Sequence, residues 1–506
     1  KSSISNHMTP SYSEYVDAQI PSHPCLKGLA DFLHGYGKTQ VHPTKFSSID
    51  FAQGNCQNPQ SWEIRARDAL FTTASFGVSV TSEQSEEQKL QDILDIPSDA
   101  QGRVLIIEDM DRHIASYLGA RYDISPFFFA NHLHNSFSNF EERPPLGSLT
   151  IPSIHCKGKS IHLHYRRVID LGPAGRESSK QTCTNSNLTR SVTLTPPISP
   201  RSLGWARSCC SIMKKLISQD QWLCLVFVDP TNAYVRMSTD LSKPCLKQVP
   251  LHGGGPKLGL SITKFSKWQS NSDNVMTTNN ARNLSAARAS NTTEEPSLRD
   301  ILIQCFQQPS PDFDAQDPSL LSLAYHPIRI VISEWNFYTM LLSRYVEHYE
   351  YALISSEASV QLSNLEELLP WRRRCARSLQ RLCLLRVFIE SHLQDIHNEK
   401  LKSVWTPVLQ DIDHFSSQIS NWASFLGSMV SQLDTHQSLI EARSVRRFTY
   451  VVLAFTALSL VTSIFSMTDE VLPWGSRFWI YVVIAVPFTL FVLLGYFTLS
   501  RNLGRA

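Results

Sequence analysis

Cysteine spacing of the redox or metal-clip type is missing. The 11 cysteines are odd in number, scattered, and nowhere arranged as Cys-x-x-Cys. That excludes a disulfide framework and reads as reduced, buried thiols in a cytosolic compartment. The adjacent pair Cys209-Cys210 reads as packing rather than redox chemistry. Charge of one sign is missing too: a net charge of +2 with 18% charged residues excludes a global polyanion-binding surface, so no nucleic-acid partner is expected. Neither His-Glu-x-x-His nor Gly-x-Ser-x-Gly occurs, and GGGPKLG (Gly253–Gly259) lacks the spacing of a phosphate loop. With no catalytic motif visible, the chain reads as a non-enzyme. The opening KSSISNHMTPSYSEY carries neither the apolar core of a signal peptide nor the Arg-rich bias of a transit peptide.

Long apolar runs are absent until the C-terminal region, where two follow each other. Phe448–Thr468 is 21 residues without a charge, and Phe478–Ser500 is 23 more. Each meets the ~20-residue requirement for crossing a bilayer core. Arg443, Arg446 and Arg447 form a basic collar before the first span, and Arg501 and Arg505 follow the second. The connecting segment holds Asp469, Glu470 and Arg477. By the positive-inside bias both chain ends face the cytoplasm and the loop faces out. Trp474, Trp479 and Tyr481 fall where an interfacial aromatic belt belongs. An integral membrane protein is expected, in the plasma membrane rather than an organelle, with the sequons at Asn187, Asn283 and Asn291 unused.

Upstream of the collar, Val408, Ile412, Phe415, Ile419, Trp422, Leu426, Met429 and Leu433 alternate spacings of four and three, a heptad seam. A continuous helix from Pro407 to Met467 would be roughly 90 Å long. Its seam needs partners: Ser333–Ile354 and Arg377–Ile396 from the same chain, or other copies around a shared axis. Within the first span Thr449, Thr456, Ser459, Ser463 and Ser466 share one helix face. Two readings of this hydroxyl stripe stay open, close helix packing or the lining of a water-filled pore.

The preceding region reads as an α/β domain. GRVLIIEDM (Gly102–Met110) and QWLCLVFVDP (Gln221–Pro230) read as buried strands, and Ser153–Leu171 as a hairpin centred on Lys157-Gly158-Lys159. Asp111–Leu133 reads as helix, Gly-containing turn, and a second helix opened by Ser125-Pro126. His162 and His164, at i and i+2 on a strand, are a metal-ligand candidate whose alternative is a packed or solvated pair. The expected organisation is an N-terminal extension (1–50), a cytosolic α/β domain (51–330) with disordered insertions near 172–205 and 265–297, a helical stalk (331–447), spans at 448–468 and 478–500 separated by an external loop (469–477), and a cytosolic tail (501–506).

This layout resembles the CorA-like divalent metal ion transporters of the CorA/ZntB type. The resemblance implies a cytosolic α/β/α sandwich, a coiled-coil stalk continuing into the first span, an acidic outer loop and a basic tail. Where that family carries Gly-Met-Asn at the outer end of the first span, this chain has Ser466-Met467-Thr468, and only Met467 matches. In the family these helix ends meet in a homopentamer and touch a hydrated cation. The resemblance therefore implies passive permeation of a divalent cation, Mg²⁺ before others, through an oligomeric ion channel in the lipid bilayer. Ser466, Met467 and Thr468 would form the mouth, Thr449, Thr456, Ser459 and Ser463 the lining, and Asp469 and Glu470 an external acidic ring. The alternative is a non-conducting, membrane-anchored scaffold or sensor that keeps the architecture.

Overall fold

The computed structural model describes residues 11–35, 42–52, 55–64, 90–134, 158–173, 181–195, 198, 200–218, 221–230, 234–238, 245–248, 297–308, 313–354, 361–394, 399–466 and 478–503. They fall into two compact units: Lys1–Tyr351 with Arg374–Trp422, and Ala352–Arg373 with Ala423–Ala506.

The first unit is organised by a mixed sheet. Its centre is the parallel pair β4 (Gly102–Glu108) and β9 (Trp222–Val228), in register from Gly102 opposite Trp222 to Glu108 opposite Val228. Every residue of both strands is buried, as their unbroken Val/Ile/Leu character requires of strands covered on two faces. Antiparallel to β4 lies β1 (Thr44–Ala52), which also pairs with β2 (Asn55–Cys56) and β3 (Gln60–Ile64). Antiparallel to β9 lies β8 (Arg201–Leu216), which pairs along its length with β5 (Ser160–Pro173) and at its start with β7 (Ser191–Leu194). The far edge is β6 (Gln181–Asn185), β10 (Tyr234–Ser238) and β11 (Cys245–Gln248).

Helices cover both faces. On one side α1 (Tyr12–Gln19), α2 (Lys27–Leu33), α3 (Arg112–Arg121) and α4 (Pro126–Leu133) share a single core with Leu105, Ile107, Leu225 and Phe227. A capping box between Ser11 and Glu14 starts α1, and the Asp111 carboxylate accepts from the Ile114 N–H at 2.8 Å to start α3. On the other side are α5 (Leu298–Phe306) and α6 (Leu320–Ile354). There Trp222 Nε1 donates to the Ala315 carbonyl at 2.8 Å, and the Trp205 and Tyr338 rings lie 4.9 Å apart. The α/β/α sandwich expected from the sequence is the observed fold.

Several boundaries differ. Residues 1–50 are not a separate extension: Tyr12, Val16, Leu26 and Leu29 are buried in the domain core, and β1 begins at Thr44. The turn between α3 and α4 is not made by Gly119, which lies inside α3 where any larger side chain would strike the Tyr12 ring. Asp123, with φ of 45°, makes it. The second arm of the expected hairpin is β5, whose partner is β8; the first arm lies outside the described residues. The Ser/Thr/Pro-rich tract near 172–205 is not a loop throughout, since β6, β7 and the start of β8 fall within it. Its Thr and Ser residues suit a pleated sheet surface as well as a loop. Residues 265–296 lie outside the described residues. Asn187 is 3% exposed and its amide donates to the Asp109 and His42 carbonyls, both at 2.8 Å, so its sequon is closed to modification. Cys25, Cys56, Cys209, Cys210, Cys224, Cys305, Cys375 and Cys383 are free, with Cys209 and Cys210 both buried.

Three long helices follow: α6 begins at Leu320 rather than 331, α7 spans Gln361–Gln394, and α8 runs unbroken over the 67 residues Glu399–Phe465. The heptad seam is covered within one chain. In the first unit Val408, Ile412, Phe415 and Ile419 are buried, with Trp405 edge-on to Tyr325 at 5.4 Å and Arg386 of α7 paired with Asp413. In the second unit Leu426, Met429 and Leu433 are buried, as are Leu368 and Trp371 of α7. The seam therefore does not itself require other copies.

Candidate pore-lining site

The second unit ends in two helices long and apolar enough to cross a membrane, the C-terminal part of α8 and α9 (Phe478–Leu503). One face of α8 meets α9. Ala457, Val461 and, on α9, Ala485 are buried. The Tyr450 and Tyr496 rings stand perpendicular at 5.4 Å, and the Thr462 and Tyr481 hydroxyls lie 2.9 Å apart.

At 100° per residue, Ser459 and Ser463 lie nearly opposite Val461 on α8, and Thr449 and Thr456 lie about 100° round from Tyr450 and Ala457. The hydroxyl stripe therefore faces away from α9. Thr456, Ser459, Ser463 and Ser466 are exposed and Thr449 is half-buried. With Phe448, Val452 and Phe455, the middle of the stripe lines a shallow groove along the helix. Thr456, Ser459 and Ser463 are thus exposed rather than packed on the second span of the same chain.

The hydroxyl protons of the two threonines on this face are directed inward. Thr449 Oγ1 donates to the Val445 carbonyl at 2.9 Å and Thr456 Oγ1 to the Val452 carbonyl at 2.8 Å. Each oxygen thus turns its lone pairs outward, presenting acceptors rather than donors. Ser466 stands in the turn that closes α8: its N–H donates to the Thr462 carbonyl and its hydroxyl to the Ser463 carbonyl, both at 2.9 Å. Met467, Thr468, Asp469 and Glu470 lie outside the described residues. Arg443, Arg446 and Arg447 are exposed on α8 just before the apolar segment.

One feature escaped the sequence reading: every described residue of α8 from Asp434 to Phe448 is exposed, including Leu439 at 54% and Val445 at 62%. The seam's end at Leu433 was its only sequence signal. Thr462 was also missed, because it lies off the stripe; its tie to Tyr481 gives that tyrosine a packing role besides any interfacial one.

The histidine pair is placed differently. His162 Nδ1 and His132 Nδ1 each lie 2.8 Å from Ser211 Oγ, while His164 Nε2 lies 4.0 Å from Cys209 Sγ. One hydroxyl proton serves one imidazole, so the other must itself donate to Ser211. Burial, then the charges of Arg381 and others, hold His164 well below its ordinary pKa. Among the described residues no group of three His, Cys, Asp or Glu side chains is arranged to hold a metal ion. His162 and His164 are packed polar groups of the sheet.

No protein-family model and no curated relative matches the chain. Several solved structures are similar to it, two of them as follows. The CorA magnesium transporter from Methanocaldococcus jannaschii has 12% identity, with 90% of this chain and 97% of that chain covered and a TM-score of 0.38. The full-length CmaX protein has 10% identity, with 92% and 99% covered and a TM-score of 0.34. Likeness at this level does not identify what this chain carries.

Proposed function

We propose that this chain is a membrane transporter of CorA type, in which copies assemble around the C-terminal half of α8 and let a divalent cation, Mg²⁺ foremost, pass down its gradient. The observation that carries the proposal is the exposed acceptor face of α8, turned away from the face that holds α9. A row of hydroxyl lone pairs suits the water shell of a hard cation, which gives up its waters reluctantly. The bare stretch Asp434–Phe448 supports assembly: an isolated helix with no packed face is marginal in water, and neighbouring copies supply that packing. The oligomer is a homopentamer on the family resemblance, with Ser466, Met467 and Thr468 at the mouth and Asp469 and Glu470 concentrating cations outside it. Both termini are cytoplasmic and the membrane is the plasma membrane.

The test is divalent-cation uptake into liposomes holding the purified protein. Uptake should fall at least tenfold when Thr456 and Ser463 are both replaced by Val, with assembly unchanged. Absence of uptake by an intact oligomer would overturn the proposal in favour of a non-conducting scaffold.

A further inference from the structure

In the first unit, positive charge converges around the strand pair β5 and β8. Arg166 on β5 and Arg207 on β8 are directly opposite in the antiparallel register, so both side chains leave the same face of the sheet. Like charges in that relation are destabilising. Above them, Arg374, Arg377 and Arg381 share one face of α7 by their spacing of three and four. Ser378, on the same stretch of α7, donates to the Tyr338 hydroxyl at 3.3 Å. The Arg166 guanidinium lies 6.0 Å from the Tyr338 ring centre and 5.8 Å from that of Trp205. Helix and strand pair are thus brought together around Arg166.

Arg166 is 6% exposed, and its Nη1 has no hydrogen-bond partner among the described residues. None of Arg166, Arg207 or Arg381 is ion-paired with a carboxylate among those residues. The buried Asp229 is already committed: Arg190 grips it with two 2.9 Å bonds, and the Cys209 N–H donates to it at 2.8 Å. The crowding registers in the guanidinium groups themselves. Burial first, then Arg166, Arg381 and Arg377, push Arg207 down to about 9; burial and Arg166 push Arg381 down to about 10. Burying a charge without a partner is costly, and Arg166, buried beside Arg207 and Arg381, is therefore a site prepared for an anion.

We infer that Arg166, Arg207 and Arg381, with Arg374 and Arg377 beside them, form a binding site for a pyrophosphate group between β5, β8 and α7. Guanidinium forks match phosphoryl oxygens in pairs, and several converging charges select a multiply charged oxyanion over a single carboxylate. Free polyphosphate and nucleoside diphosphates both carry that group. The site lies within the first unit, and its occupation is measured without transport.

The experiment is thermal unfolding of the full-length protein in detergent, with chelator present and ionic strength held constant by chloride. Inorganic pyrophosphate, ADP and sulfate are compared, alongside equilibrium dialysis of labelled pyrophosphate. Pyrophosphate should raise Tm and bind saturably, and sulfate should not. An ADP shift equal to or above that of pyrophosphate identifies a nucleotide site, and a smaller one a site for free polyphosphate. Arg207→Gln and Arg381→Gln should abolish the shift and, by removing repulsion, leave the unliganded Tm unchanged or higher. Absence of saturable binding to the wild-type protein, an equal shift with sulfate, or an undiminished shift in folded Arg381→Gln would overturn the inference. Should Arg207→Gln not fold, Arg381→Gln and the dialysis decide.

Discussion

Single residues in the sheet domain are constrained by what lies opposite them. Gly102 faces the Trp222 ring across the parallel β4–β9 pair, and a methyl group added there would overlap the indole. Trp222 is 1% exposed and hydrogen-bonded through its nitrogen, so it has nowhere to go. Gly102→Ala should cost about 1–3 kcal/mol or more, read as a lowered Tm by tryptophan fluorescence. Glu334 on α6 is a different case. It is 7% exposed with Oε1 unpartnered, and burial lifts its carboxyl to about 7 against the opposing pull of Arg167. In the window between its ordinary value and about 7, the folded chain keeps a proton that the unfolded chain has released. Stability contributed here therefore falls as pH rises. Glu334→Gln should flatten the decline of Tm between about pH 5 and 7, a comparison of two melting series.

Elements were legible in proportion to how far local pattern decided them. The strands around Val104 and Leu225, the Ser125-Pro126 helix start and the seam from Val408 to Leu433 all carry short-range signals, and each appears in the fold. What the sequence hid was partnership. The hydrophobic residues of α1 do not name the core they enter, β5 does not announce β8, and a polar tract does not reveal that Thr182 and Val192 pair across strands. The hydroxyl stripe was visible, but its direction relative to α9 depends on Ala457, Val461 and Ala485, which look unremarkable in sequence. Because Val16, Leu26 and Leu29 fill the same core as Phe227, removal of α1 and α2 should leave the domain unable to melt cooperatively. Calorimetry of the truncated protein beside the full chain checks this.

At the scale of the whole molecule, the proposed assembly would run through the exposed turns of α8 between Asp434 and Phe448. Cysteine at Leu439 should form a disulfide between copies on mild oxidation, whereas cysteine at Tyr351, 75% exposed on α6, should not. Denaturing gels without reductant report both, and native mass measurement gives the copy number. The central parallel pair bears on how this chain is made. Gly102 waits for Trp222, roughly 120 residues later, and at 5–20 residues per second that is roughly 6–24 s of synthesis. Until then the most apolar edge of the sheet, along β4, is open to other chains. Translation speed and chaperone supply thus govern the yield of native protein through this one strand pairing, before any membrane is reached.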